Sequence, residues 1–314
     1  MRTPPTTGVL LTAVGGPSSL DDVEPFLRDI RGGRPTPDRL IEEFRERYRR
    51  IGGKSPLLEI SSAQAEALEK RLNQDGDGPR CYVGMRNWHP YIRETIGRIV
   101  ADGLDRIVVL PLTPYFSKRS VGTYFRAVEE SLRHGGRSID VIYVRHWNTE
   151  ASLVDAFAAK VEAGLKHLAG EGFPDPMVLF TAHSLPQKLS DEGDPYAAEL
   201  EETMNLILKQ LPRIRSRMGW QSAGRTEEPW LGPPLEDLIA KLAEARETSI
   251  LVVPFGFVSD HLEILYDLDI EAKKQAEDLG IDLERTESLN TDPRFIEAMA
   301  SAVGSAIRVR PRLA

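Results

Sequence analysis

Short apolar runs alternate with long amphipathic, charged stretches along the whole chain. GVLLTAV, CYVGM, RIVVLPL and IDVIYV occupy the first half, separated by stretches such as PDRLIEEFRERYRRI and SAQAEALEKRL, whose apolar positions recur at helical spacing. MVLFTAH, RMGW, SILVVPFGF and IDLERTESL follow in the second half, again with helical patterns between them. Runs rich in β-branched and aliphatic residues and bounded by turn signals predict buried strands; the longer period predicts helices. Strands alternating with helices predict parallel sheets built from right-handed crossovers. Two sets of four strands therefore predict two similar α/β domains. The halves are alike in pattern and not in residues, so a duplication rests on architecture alone. The junction is expected near residues 150–170, where GEGFPDP is the strongest loop signal. Dividing at that point gives domains 1–160 and 161–314, with the last helix, PRFIEAMASAVGSAI, packing back on the first.

Composition narrows the class. At 314 residues the chain is long enough for two domains of ordinary size. A net charge of −8 disfavours general nucleic-acid affinity. The single cysteine, Cys81, rules out an intramolecular disulfide and any cysteine-rich zinc or iron–sulfur site within the chain. The apolar run near the N-terminus is too short to span a bilayer and lacks a secretory pattern, and no later segment reads as transmembrane. The expectation is a soluble, cytoplasmic protein with no integral membrane segment.

Open parallel sheets bind ligands beyond the C-terminal ends of their strands. The first strand ends in Ala13-Val14-Gly15-Gly16-Pro17, the fifth in TAHSLP and the seventh in GFVSDHLE. His183 and Glu263 thus fall where a cleft between two such domains carries functional groups. In a regular helix Glu263, Asp267 and Glu271 sit at i, i+4 and i+8, stacked on one face, where they repel one another. A metal cation relieves that repulsion, although an acidic helix face is more often merely solvated. Gly15-Gly16 is not GxGxxG, RIGGKSP is not a P-loop, and no G-x-S-x-G elbow supplies a serine partner for His183. His89, His134, His146, His167 and His261 lack a comparable setting; His261 adjoins the acidic ladder but is expected on a different helix face from Glu263.

RYRRIGGKSPL, TAHSLP, GWQSAGRTEEPWLGP and PFGFVSDHLEILYDLDIE, in this order and at these distances, resemble a ferrochelatase from about Gly8 to Ala302. The resemblance implies two Rossmann-like domains with four-stranded parallel sheets flanked by helices, around a porphyrin cleft. It implies an enzyme that inserts Fe²⁺, a substrate and not a cofactor, into a porphyrin in heme biosynthesis. His183 and Glu263 are then the facing pair at the insertion site, with His183 receiving Fe²⁺ and accepting pyrrole protons. Asp267 and Glu271 form an outer carboxylate path. Arg31, Arg47, Tyr48, Ser55 and Tyr124 match residues that hold propionates in chelatases of the Gram-positive type. Arg34 is expected to be solvated, and Trp230 and Pro229 to wall the cleft. Coproporphyrin chelatases of that type usually carry tyrosine where this chain has Val14, which cannot ligate iron and is expected to pack on the macrocycle. The short, charged segment DIRGGRPTPDRLIEEFRERY lacks the apolar lips of membrane-associated protoporphyrin enzymes. That polar mouth favours coproporphyrin III, with four propionates, over protoporphyrin IX, with two. The alternatives are a sirohydrochlorin or cobalt chelatase, in which paired histidines are common, and a non-enzymatic tetrapyrrole carrier.

Overall fold

A computed structural model describes residues 6–74, 76, 78–134, 138–224 and 226–309. Two compact units divide the chain: Met1–Ser152 together with Asn290–Ala314, and Leu153–Leu289. In the first, β1 (Thr7–Ala13) leads through α1 (Val23–Ile30), α2 (Asp38–Arg50) and α3 (Leu57–Leu72) to β2 (Arg80–Met85). α4 (Ile92–Ala101), β3 (Arg106–Pro111), α5 (Val121–His134) and β4 (Asp140–Tyr143) follow. The sheet is parallel throughout, in the order β2-β1-β3-β4. Leu10, Ile107 and Val109 meet Ile92, Ile96 and Ile99 of α4 and Tyr124 and Val128 of α5 in one buried cluster. Val9 and Leu11 alternate with Leu10 and are equally buried, and α3 packs against β1 and β2. A strand covered on both faces reads as an unbroken apolar run, which is why GVLLTA is legible as one.

The second unit repeats the plan. α6 (Ala151–Gly170) leads into β5 (Met177–His183), then α7 (Gln187–Asp191), α8 (Tyr196–Gln210), β6 (Ser216–Gln221), α9 (Leu235–Glu244) and β7 (Ser249–Val253). α10 (Leu262–Leu265), a π-helical turn (Asp267–Ala272), α11 (Lys273–Asp278) and β8 (Asp282–Arg285) complete it. Its strands are also parallel and lie in the order β6-β5-β7-β8. The order is the same in each half: second strand, first, third, fourth. Leu179, Ile250 and Val252 are buried with Leu235, Leu238 and Ile239 of α9 and with Ile264, Leu268, Ala272 and Ala276.

α12 (Pro293–Val309) belongs with the first unit and packs on α3, β3 and β4. Arg71 grips Glu297 through two hydrogen bonds of 2.5 and 2.9 Å, and the Trp147 and Phe295 rings lie 5.7 Å apart. The two units meet in sequence at 152/153, inside the first turn of α6, and again at 289/290, whereas the sequence reading divides the chain once, at 160/161. A long amphipathic helix carries no composition signal at its start; the Gly- and Pro-rich stretch comes only after it.

Candidate active site at the strand ends

In each sheet the strand order reverses between the first and third strands of the set. The chain leaves β5 toward β6 on one side and returns to β7 on the other. The crevice beyond the C-terminal ends of β5 and β7 is the topological switch point, where such sheets place ligands. His183 is the last residue of β5, and Glu263 lies in α10, the first helix after β7. Gly256 allows the loop between them to cross close over β5: a Cβ there would stand 2.6 Å from the Ala182 Cα, and its N–H bonds the Thr181 carbonyl at 3.1 Å.

His183 and Glu263 meet. Nδ1 of His183 lies 3.0 Å from Oε2 of Glu263, with 33% and 34% of the two side chains exposed. A carboxylate only accepts, so Nδ1 carries the proton and Nε2 of the neutral ring keeps its lone pair. Burial pushes the imidazole down, but the charge and hydrogen bond of Glu263, then the charge of Asp267, outweigh it and leave His183 above its usual value. Burial pushes the Glu263 carboxyl up, and His183, with a smaller contribution from His261, holds it below the carboxylate range nonetheless. The Tyr196 hydroxyl donates to the His183 carbonyl at 3.1 Å, and Gln221 Nε2 donates to the Glu263 carbonyl at 2.9 Å. Burial, followed by the Glu263 and Asp194 charges, raises the Tyr196 phenol well above its usual range, so it remains a neutral donor.

The TAHSLP loop is tied down by the loop that follows β6. Ser184 Oγ donates to the Leu231 carbonyl at 2.7 Å, Leu231 N–H to Leu185 at 2.9 Å, and Gln187 N–H to Pro229 at 2.9 Å. Trp230 bridges to Pro186 and donates its indole N–H to Thr226 Oγ1 at 2.9 Å. Gly224 leaves room for that ring, since a Cβ there would clash with its six-membered part. Trp230 is therefore part of the scaffold that holds the His183 loop.

The acidic ladder departs from the expected regular helix. α10 has only four residues, and the turn that follows is π-helical, with Glu271 N–H bonded to the Tyr266 carbonyl five residues back at 3.0 Å. In an α-helix four residues overshoot one turn by about 40°, so a four-residue repeat drifts around the axis. A wider turn closed by i→i+5 bonds corrects that drift. Ile264, Leu268, Ala272 and Ala276 keep one straight stripe in the core as a result, and Glu263, Asp267 and Glu271, each one residue before a core position, line up beside it. Asp267 is half-buried and accepts the Ser222 hydroxyl at 2.5 Å; Glu271 is exposed. Ser222 sits at φ 58°, a left-handed backbone that disfavours a side chain by about 1–2 kcal/mol.

His261 also departs from expectation. As the residue capping α10 it is extended, at φ −161° and ψ −173°, and does not follow helical phase. Its Nε2 comes within 3.9 Å of Glu263 Oε2, and its ring lies 4.7 Å from that of Phe257. Nδ1 faces the Ser259 carbonyl at 3.1 Å, so Nδ1 holds the proton and Nε2 presents its lone pair toward Glu263. Burial lowers its pKa despite the neighbouring Glu263 charge, and the ring stays neutral. Helical spacing misplaced this residue; the signal that finds it is its position before the first turn. Among the described residues no group of three or more His, Cys, Asp and Glu side chains is arranged as a metal cage.

The residues matched to propionate holders lie in the first unit. Gly16 brings β1's exit loop against Ser55: a Cβ would stand 2.5 Å from the serine side chain and 3.9 Å from the Tyr48 hydroxyl. Ser55 N–H bonds the Pro17 carbonyl at 2.9 Å, and both Ser55 and Tyr48 are buried. Arg47, one residue before Tyr48 in α2, pairs with Glu43 at 3.1 Å. Arg31 closes α1, and its buried Nε has no hydrogen-bond partner among the described residues; neither has the buried Thr36 Oγ1. Arg34 is exposed and donates to the Arg31 carbonyl at 2.9 Å. Val14 is 37% exposed. Tyr124 is buried in the cluster of β1, β3, α4 and α5, so its ring belongs to the core. Cys81, in β2, is half-buried, and burial followed by the Glu69 charge pushes its thiol up to about 12.

No helix among the described residues is long and apolar enough to cross a membrane. The ferrochelatase family model matches residues 6–307. The ferrochelatase of Deinococcus radiodurans is 39% identical over 298 residues, 94% of this chain and 94% of its own length. The coproporphyrin III ferrochelatase of Geobacillus thermodenitrificans is 41% identical over 303 residues, 95% of each chain. Among solved structures, SirB from Bacillus subtilis with Fe³⁺ aligns with a TM-score of 0.61 over 96% of this chain and 95% of its own, at 15% identity, a likeness of fold alone. With the family model and both relatives spanning almost the whole chain, the protein belongs to the ferrochelatase family of enzymes.

Proposed function

We propose that this enzyme inserts Fe²⁺ into coproporphyrin III in preference to protoporphyrin IX, in the cytoplasm, as a step of heme synthesis, with no resident cofactor. The observation that carries the reaction is the His183–Glu263 pair at the switch point of the second sheet. Insertion breaks two pyrrole N–H bonds, forms the bonds from the metal to the ring nitrogens and releases two protons. A neutral His183, with Nε2 bare, is a ligand suited to Fe²⁺ and an acceptor for one of those protons. Glu263 fixes the ring's tautomer, balances the charge of the arriving cation and stays ionised while doing so. His261 adds a second neutral imidazole lone pair on the same carboxylate. Asp267 and Glu271 continue the line of negative charge away from the pair and serve metal entry or proton exit. A planar macrocycle admits a metal slowly, and contacts remote from the nitrogens offset the strain of bending it.

Substrate preference rests on the polar residues of the first unit. The unsatisfied Arg31 Nε and Thr36 Oγ1 are suited to a carboxylate acceptor, Ser55 and Tyr48 lie by the β1 exit loop, and Arg47 precedes Tyr48 in α2. A tetracarboxylate gains more from such a surface than a dicarboxylate. The name of the Geobacillus relative is in keeping with this reading. Val14, exposed and without a lone pair, contributes packing to a macrocycle and no axial ligand. Anaerobic Fe²⁺ insertion into the two porphyrins, measured side by side, tests the preference. The expected result is a kcat/KM about tenfold higher for coproporphyrin III, the scale of two extra partly screened ion pairs. A higher value for protoporphyrin IX would make the apolar Val14 contact the determinant.

A further inference from the structure

We infer that Arg285 is a positioning residue for metal insertion: one guanidinium holds the catalytic segment on both sides of Glu263. Arg285 ends β8 and is only 16% exposed. Its Nε and Nη2 reach both oxygens of Asp269 at 2.5 and 2.9 Å, and Nη2 also lies 3.4 Å from Asp260 Oδ1. Nη1 donates to the Thr286 carbonyl at 3.0 Å, and Asp260 accepts the Ser288 hydroxyl at 2.7 Å. Asp260 immediately precedes His261, and Asp269 lies in the π turn between Asp267 and Glu271. The two aspartates therefore bracket His261, Glu263 and Asp267, and Asp269 stands two residues before Glu271.

The segment needs an external brace. α10 is four residues long and has no side-chain cap, so isolated helix stability cannot set its position. Core packing of Ile264 and Leu268 fixes its underside but not the ends of the strip. A planar fork held on two carboxylates fixes both, and lysine, a single point charge, does not reproduce that geometry. Resting on the ferrochelatase reading, the inference is tested with Arg285→Lys and with Asp269→Asn, which keeps the carboxylate's shape if the first variant does not fold. In each, kcat per folded molecule is expected to fall by about a hundredfold, the effect of a ~1 Å displacement of reacting groups. KM for Zn²⁺ rises, KM for the porphyrin stays within about twofold because neither variant alters Arg31, Thr36, Tyr48 or Ser55, and the double variant is no worse than the single ones. Unchanged kcat and both KM values, with only a lowered Tm, would make Arg285 a structural ion pair and overturn the inference. Wild-type protein that inserts no metal would instead overturn the ferrochelatase reading itself.

Discussion

His183 and Glu263 set each other's protonation, and that coupling has a measurable sign. Glu263 holds His183 above the ordinary imidazole value, so the neutral ring, the form the proposed metal and proton acceptance requires, forms only as pH rises through the raised value. Glu263→Gln removes the charge and leaves burial, which pulls His183 down. The acid limb of Zn²⁺ insertion is expected to move to lower pH, while the maximal rate falls by about 10²–10⁴. A pH profile of kcat/KM for both proteins checks this, and an unmoved limb would separate His183 from the proton step. Folding linkage has the same origin. His183's contribution is fully present below its unfolded pKa and is lost as pH rises through the raised folded value. That of Glu263 is present above its unfolded pKa and is lost as pH falls through the depressed folded value. Both residues were visible in sequence because each lies at or just beyond the end of an apolar run. Tyr196 and Gln221 were not, since each binds the backbone of His183 or Glu263 and no spacing rule foresees that.

At the level of elements, two devices set the path of the segment that carries Glu263. The π turn keeps a four-residue repeat straight, so one strip presents carboxylates on one line and core residues on the next. The repeat could be counted in sequence, but the widened turn could not, because it answers to packing on α9 and the sheet and not to local propensity. His261 was misjudged for a related reason: helical phase was carried one residue past the start of the helix. The second device is the close crossing at Gly256. Gly256→Ala would set a Cβ against the Ala182 backbone, which cannot swing aside as a flexible side chain would. The loop is expected to lift from the end of β5, with about 1–3 kcal/mol of destabilisation in urea unfolding. Insertion activity at permissive temperature should fall further than that loss of folded protein accounts for. Wild-type turnover in the alanine variant would show that the crossing does not position Glu263.

Across the molecule, two sheets of the same strand order carry different sets of polar side chains at their strand ends. The second unit carries the His183–Glu263 pair, and the first carries Arg31, Tyr48 and Ser55, to which the proposal assigns a cation and carboxylates respectively. The architecture was legible because strands buried on both faces are continuous apolar runs, and eight of them were countable. The return of α12 to the first unit was foreseeable only as a tendency of a C-terminal amphipathic helix, and the first boundary falls within a helix where no loop signal exists. On the proposed mechanism the His183–Glu263 pair transfers the metal and does not merely bind the macrocycle. Single-turnover Fe²⁺ insertion under anaerobic conditions, alongside porphyrin binding by fluorescence, tests it in wild type and His183→Ala. The expected result is unchanged porphyrin affinity with insertion lost by about 10²-fold or more in the variant; insertion at the wild-type rate in His183→Ala would contradict it.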